Sequence, residues 1–414
     1  MGVAGIVAVA GCTDDGTTTP TSPPPTVTTT TEPVRIDDGI LRIGLLLPES
    51  GEGATIGQPL IEAARAAVDQ INAAGGVLGQ PVELVEGFDE GDSATTASEA
   101  IAELIERDVD AVVGPASSTV ALATLEELLS AGVLTCSPTA TAIALDDFPS
   151  SDLFFRTAPS DSLQAVAIAQ YAERTGARTA AVTYLDDAYG RPLARATRDA
   201  LQARGLTLLD PVPFAADAES LTDEAMAISD SDVDVVVVIG DGEQGTRMLA
   251  ELGEVANLFP SGDPPPIIVN GAVRRPPSTQ LVQALAADVR DRVVGVSPLA
   301  YGEPEEPAGP FATNALDCVN LIALSAIQAN DGAGSDNPRL IADEMTEVSS
   351  GGISCRSFAE CVQLLEDSNI DYDGPGGVLE IGTEGDPVRS RFDLFEFDDS
   401  GLDVSRPVPL VVPR

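Results

Sequence analysis

The sequence predicts an α/β protein of two doubly wound, mostly parallel-sheet lobes with a ligand cleft between them, and three observations carry that reading. Apolar runs of strand length alternate with helical stripes through most of the chain. The alternation restarts near residue 158. A length of 414 residues is too great for one ordinary core and suits two of common size.

Ile40 to Leu47 is a continuous apolar run, as a strand buried on both faces requires. Leu60, Ala64, Ala67, Val68 and Ile71 fall on one helical stripe, which stops at Ala74-Gly75-Gly76. Pro81 to Phe88 reads as a strand, Ser93 to Arg107 as a helix and Ala111 to Gly114 as a strand. Leu122, Leu125 and Leu129 mark a helix before a strand at Val133 to Cys136. Repeated units of this kind give a parallel sheet with helices on both faces. In the second half Arg178 to Tyr184, Leu206 to Pro211, Val233 to Ile239 and Ile267 to Val269 read as strands. Helical patterns lie near Ala188 to Ala203, Leu221 to Ile228 and Gln244 to Leu252. A long helix at Ala312 to Ala329 and strands near Val378 to Ile381 and Arg391 to Phe397 complete the body. Ligands bind beyond the carboxyl ends of the strands in such sheets.

Composition narrows the function. A hydrophobic content of 43% and a mean hydropathy of +0.11 argue against global disorder. The net charge is −44, and all 22 basic residues are Arg. Such a surface repels nucleic acid and anionic lipid headgroups, so nucleic acid is not an expected partner. The acidity reads as a device for solubility in salty surroundings. The chain has no His, which removes Ser-His-Asp and Cys-His nucleophile systems and His-ligated zinc. Its five Cys show no C-x-x-C spacing, and no phosphate-cradling or nucleophile-elbow motif is present. We expect no enzyme activity, no metal and no cofactor. Carboxylate-only chemistry would need two carboxylates converging in one cleft.

The N-terminus reads as an address. Val3 to Ala10 is apolar but too short to span a bilayer, and Val9-Ala10-Gly11-Cys12 ends it. Small residues before a Cys resemble the lipobox of bacterial lipoproteins, which implies a signal peptide over residues 1–12 and lipidation at Cys12. No Arg or Lys precedes the apolar run, a departure that a start upstream of Met1 would explain. Residues 13–37, rich in Thr and Pro, form a linker that cannot pack a core and behaves as a stiff spacer.

The motif order resembles the type 1 periplasmic-binding-protein family, especially the substrate-binding lipoproteins of branched-chain amino acid ABC transporters. Ile71-Asn72-Ala73-Ala74-Gly75-Gly76-Val77-Leu78-Gly79 is similar to that family's loop after the first helix. Gly114-Pro115-Ala116-Ser117-Ser118, Ser137-Pro138-Thr139-Ala140-Thr141 and Asp187-Ala188-Tyr189-Gly190 resemble three further motifs in the right order. The resemblance spans nearly everything after Ile40. It implies three passages between lobes, with lobe one at 38–157 plus 298–370 and lobe two at 158–297 plus 371–414.

Candidate ligand contacts follow. Ala116 to Ser118 leave a strand and open a helix, so the serine hydroxyls and the backbone N–H groups suit a carboxylate. The other reading is that a serine only caps the helix. The resemblance places a ligand-contacting serine at Ser118. It also implies that Thr141 meets both charged ends of an amino acid and that Ala140 offers a carbonyl; the other reading of Thr139 to Thr141 is an ordinary turn after Pro138. Tyr189 matches an aromatic that closes over the ligand from lobe two; alternatively it is a half-buried tyrosine at a helix start. Two departures stand out. Ile56 occupies a position where relatives carry an aromatic, and their ammonium-binding acid falls near Gly271, which has no charge. Asp241, just after the Val233–Ile239 strand, is the candidate replacement; without it, the ligand would be an amide or a simple carboxylate.

With Cys12 lipidated, Cys355 and Cys361 bracket a short loop and are expected to pair. Cys136 and Cys318 form either a second bridge or two buried thiols. The whole implies a monomeric solute receptor outside the cell membrane, held by its lipid, that captures an amino-acid-like solute and delivers it to ABC permease subunits. The alternative is a receptor of the same fold that signals to a membrane partner.

Overall fold

The computed structural model describes residues 1–2 and 37–413, except 52, 92, 150, 241, 261, 275–277, 299–308, 310, 376–378, 399 and 401–402. Cys12, nearly all of the linker and Asp241 therefore lie outside the described residues.

Five strands form the first sheet: β1 (Arg42–Leu47), β2 (Glu83–Asp89), β3 (Ala111–Val113), β4 (Leu134–Ser137) and β5 (Phe154–Arg156). They run parallel in the order β2-β1-β3-β4-β5. Helices α1 (Ala54–Ala73), α2 (Ala94–Glu106) and α3 (Ser118–Ser130) connect them. The apolar stripe of α1 buries Leu60, Ile61, Val68 and Ile71, each contributing about 1.5–3 kcal/mol over exposure. The helix ends in a Schellman motif: the N–H of Gly76 reaches the carbonyl of Ile71 and that of Gly75 the carbonyl of Asn72. Gly75 and Gly76 take φ of +118° and +77° there. The Asn72 side chain then pins the next strand by accepting from the Val82 N–H at 2.7 Å and donating to its carbonyl at 3.1 Å. The glycine-rich stretch after the first helix is thus a helix stop joined to a strand anchor.

Helix α4 (Asp161–Arg174) leads into the second, nine-stranded sheet. Its parallel part comprises β6 (Thr179–Leu185), β7 (Thr207–Leu208), β8 (Val212–Phe214), β9 (Val235–Ile239), β10 (Ile267–Asn270) and β11 (Val293–Pro298). The strand expected over Leu206 to Pro211 is confined to Thr207–Leu208, and a separate short strand, β8, begins after Pro211, which has no N–H to continue the ladder; both pair with β6. All five residues of β9 are buried, as a central strand requires. Helices α5 (Gly190–Ala203), α6 (Thr222–Ser229), α7 (Gly242–Glu254), α8 (Ser278–Gln283) and α9 (Ala287–Arg290) accompany this sheet. The chain then returns to the first core through α10 (Ala312–Gln328), which packs on α1, and through α11 (Pro338–Glu344) and α12 (Phe358–Leu365). A small parallel pair, β12 (Ile353–Cys355) with β13 (Ile370–Tyr372), follows. Finally β14 (Glu380–Ile381), β15 (Pro387–Phe397) and β16 (Asp403–Pro413) join the second sheet antiparallel, β15 against β11.

Two disulfides staple the first core. Cys355 and Cys361 pair across the entry to α12. Cys136, at the end of β4, pairs with Cys318 on α10, which resolves the choice between a second bridge and two free thiols. Among the described residues, no helix is long and apolar enough to cross a membrane.

Candidate functional site

An open α/β sheet offers its ligand crevice where successive strands run to opposite sides of a starting strand. In the first sheet this point lies between β1 and β3, because β2 flanks β1 on its other side. In the second it lies between β6 and β9, with β7 and β8 beyond β6. The residues that leave these strands and their neighbours β4 and β10 are the candidates.

After β3, Gly114 turns with φ +126°, and a Cβ on it would stand 2.0 Å from the carbonyl oxygen of Leu46. Only glycine permits so close an approach to β1. The N–H groups of Ala116 and Ser117 donate to Glu90 at 2.5 and 2.9 Å. Glu90 is 1% exposed, and a buried carboxylate must be hydrogen-bonded. The backbone donors read from sequence as a seat for the ligand's carboxylate are therefore filled by the protein's own. Ser117 caps α3, its Oγ accepting from the Val120 N–H at 3.4 Å.

Ser118 is placed differently. Its Oγ accepts from the N–H groups of Thr141 and Ala142 at 3.1 and 3.2 Å. A hydroxyl has two lone pairs and one proton, so Ser118 is left as a donor, suited to a carboxylate. Thr141 is its complement. Its Oγ1–H donates to Asp161 at 3.1 Å, which leaves the oxygen as an acceptor. Asp161 opens α4, is 1% exposed, and also accepts from the Gln164 Nε2 at 2.5 Å. Gln164 Oε1 in turn accepts from the Gly271 N–H at 2.7 Å. One hydrogen-bonded row thus runs from the start of α3 to the end of β10.

The neighbours of Thr141 face inward. Thr139 Oγ1 donates to the Ala116 carbonyl at 2.6 Å, and the Ala140 carbonyl accepts from Arg156 Nη1 at 3.2 Å. The Ala140 carbonyl, expected to face ligand, is thus engaged by a side chain of the protein. Tyr189 is half-buried before α5, and its hydroxyl accepts from Asn270 Nδ2 at 3.0 Å. Asn270 Oδ1 accepts from the Gly240 N–H at 3.1 Å, which ties the ends of β9 and β10 together. Ile56 is half-buried in the first turn of α1. At Gly271 a Cβ would stand 3.0 Å from that of Ser297 and 3.2 Å from Gln164 Oε1. An acidic side chain there would displace Gln164, so the absence of charge at 271 and the presence of Gln164 belong together.

Sequence reasoning missed Glu90, Arg156, Asp161, Gln164 and Asn270. The available signal was Ser160-Asp161 at a helix start with Gln164 one turn on. A pocket of about 320 Å3 lined by Leu45, Leu47, Ile61, Arg65 and Glu86, among others, lies between α1 and the edge strand β2; it contains none of the residues of the Ser118 row. Among the described residues, no group of three or more His, Cys, Asp or Glu is arranged to hold a metal.

A family model for periplasmic binding proteins matches residues 40–260. The chain belongs to that family. This binding protein is 28% identical over 386 residues to the chemotactic signal transduction system substrate-binding protein BasB of Halobacterium salinarum, a match covering 87% of this chain and 88% of that one. It is 33% identical over 220 residues to the Leu/Ile/Val-binding protein BraC3 of Rhizobium johnstonii, over 52% of this chain and 59% of that. Among solved structures it resembles the branched-chain amino acid transporter substrate binding protein LivJ of Streptococcus pneumoniae, in complex with isoleucine. That likeness has a TM-score of 0.66 and covers 91% of this chain and 100% of the other; at 22% identity it shows the shared fold. The binding protein thus has the two-sheet architecture of type 1 periplasmic binding proteins, and the family and these neighbours are ligand-binding proteins.

Proposed function

We propose that the protein is an extracytoplasmic receptor that closes around a free amino acid and presents it to a membrane partner. The observation that carries this reading is the Ser118–Thr141–Asp161 row: a hydroxyl left to donate, a hydroxyl left to accept, and a buried carboxylate behind it. In a cleft closed to water, each charged end of an amino acid needs a partner. Ser118, at the positive end of α3, suits the carboxylate. Thr141 Oγ1 suits the ammonium, with Asp161 as counter-charge in the role that the sequence reading gave to Asp241. Tyr189 would approach from the second sheet, and Ile56 would meet the ligand's side chain.

As an importer component the receptor is tethered by lipid at Cys12, carried on the 13–37 spacer, and docks on an ABC permease. Likeness to BasB over most of both chains favours a second reading, in which the closed form reports to a signalling partner. Closure of two lobes around a ligand serves either output.

Titration calorimetry with leucine, isoleucine and valine tests the proposal. Wild type is expected to bind at least one, and Asp161→Asn to weaken it at least tenfold, about 1.4 kcal/mol. Amino acid affinity unchanged by Asp161→Asn would overturn the assigned counter-charge.

A further inference from the structure

Arg156 ends β5, the last strand before the chain leaves the first sheet, and it is 0% exposed. A guanidinium has five N–H donors, each of which needs an acceptor when buried. Nε and Nη2 grip the two oxygens of Asp386 at 2.6 Å each. Nη2 also reaches Asp146 at 2.7 Å, and Nη1 reaches the carbonyls of Ala140 and Ala142 at 3.2 Å each. Those two carbonyls flank Thr141. Asp386 immediately precedes β15, the strand that pairs with β11 in the second sheet. The Arg156 N–H donates to the Gly385 carbonyl at 2.9 Å. Gly385, with φ +80°, lies so close to β5 that a Cβ would stand 2.2 Å from the Phe154 carbonyl oxygen. The next residue, Thr157, exchanges hydrogen bonds with Asn314 on α10, where the chain has returned to the first core. Residues 156 and 157 thus lie on the first passage of the chain between the sheets and contact both the segment entering β15 and the start of α10, and the Arg156 side chain joins the β15 segment to the Thr141 turn.

We infer that Arg156 is a positioning residue: it sets the turn that carries Thr141 according to the placement of Asp386, and so couples that turn to the strands on which lobe closure hinges. The link to closure rests on the receptor reading above; the link between Asp386 and the turn rests on the geometry alone. A guanidinium held by two carboxylates on one side and two carbonyls on the other cannot shift toward one set without loosening the other. Ligand that orders the turn then favours one arrangement of the crossing strands, and a disturbed crossing loosens the turn.

Hydrogen exchange of the full chain, read by mass spectrometry without ligand, tests this. Asp386→Asn preserves shape but turns an amide N–H2 toward Arg156. The amides of Ala140, Thr141 and Ala142, bonded to the Ser137 and Ser118 hydroxyls, are expected to exchange about tenfold faster. Tyr372→Phe, which removes a buried hydroxyl bonded to Asp317 and Asn320, should lower the melting temperature and leave those amides unchanged. Unchanged exchange in Asp386→Asn, or equal acceleration in both variants, overturns the inference. If Asp386→Asn does not fold, Asp146→Asn replaces it with the same expected result. Wild type that binds none of leucine, isoleucine and valine overturns the receptor reading, and the exchange result still decides the role of Arg156.

Discussion

Asp336 is 2% exposed and accepts the N–H groups of Asp38, Gly39 and Ile40 through one oxygen. Burial, with the hydrogen-bonded carboxyl of Asp37 beside it, pushes its pKa up to about 6. The bond to Asp336 holds Asp37 below its ordinary value. Between the ordinary carboxylate range and about 6, the folded protein keeps a proton on Asp336 that the unfolded chain has lost. This contribution to stability therefore falls as pH rises through that window. Asp336→Asn keeps the acceptor and abolishes the titration. Its melting temperature should match wild type at about pH 4 or below and exceed it at about pH 8; an equal deficit at both would contradict the assignment. The adjacent serines offer a sharper contrast. Ser117→Ala removes a helix cap and should cost about 1 kcal/mol with ligand affinity intact. Ser118→Ala orphans the N–H groups of Thr141 and Ala142, at about 1–3 kcal/mol, and should abolish binding as well. Calorimetry and thermal unfolding on both variants separate the two roles.

Elements with one uniform pattern were legible and those without were not. β1 and β9 are continuous apolar runs, and α1 carries a clean stripe with a glycine stop, so each announces itself. Helix α4 buries Leu163, Gln164, Ala165, Ala167, Ile168, Ala169 and Ala172, nearly all round, so no polar period marks it. β5 is three residues ending on a buried Arg, which in sequence resembles a surface residue. The site divides in the same way. Ser118 and Thr141 stand where strands end, a position that sequence reveals. Glu90, Asp161 and Arg156 act through partners distant in the chain, and in a sequence with 66 acidic residues no single carboxylate attracts notice. The two disulfides close loops of very different length. The bridge between Cys136 and Cys318 spans a sequence separation of 182, that between Cys355 and Cys361 a separation of 6. Loop-closure entropy makes the first worth about 5 kcal/mol and the second about 2 kcal/mol. Paired Cys→Ala variants should show that order in denaturant unfolding; a larger loss from the short bridge would mean that local strain or packing dominates.

A net charge of −44 balanced only by Arg makes the molecule self-repelling at low ionic strength. The Debye length falls to about 3 Å at 1 M salt, so the melting temperature should climb steadily with sodium chloride. A flat response would mean that the carboxylates are spaced widely enough not to bear on folding. The proposed closure of the two sheets on something small and charged has a direct test. Ligand bound only by the folded form stabilises it by about 2.7 kcal/mol at a hundredfold excess over the dissociation constant. The measurement is thermal unfolding of the full chain with leucine, isoleucine and valine, each beside its deaminated acid, isocaproate standing for leucine. A rise is expected with at least one amino acid and none with its deaminated partner. No rise with any amino acid, or an equal rise with isocaproate, would contradict a site built around Ser118, Thr141 and Asp161.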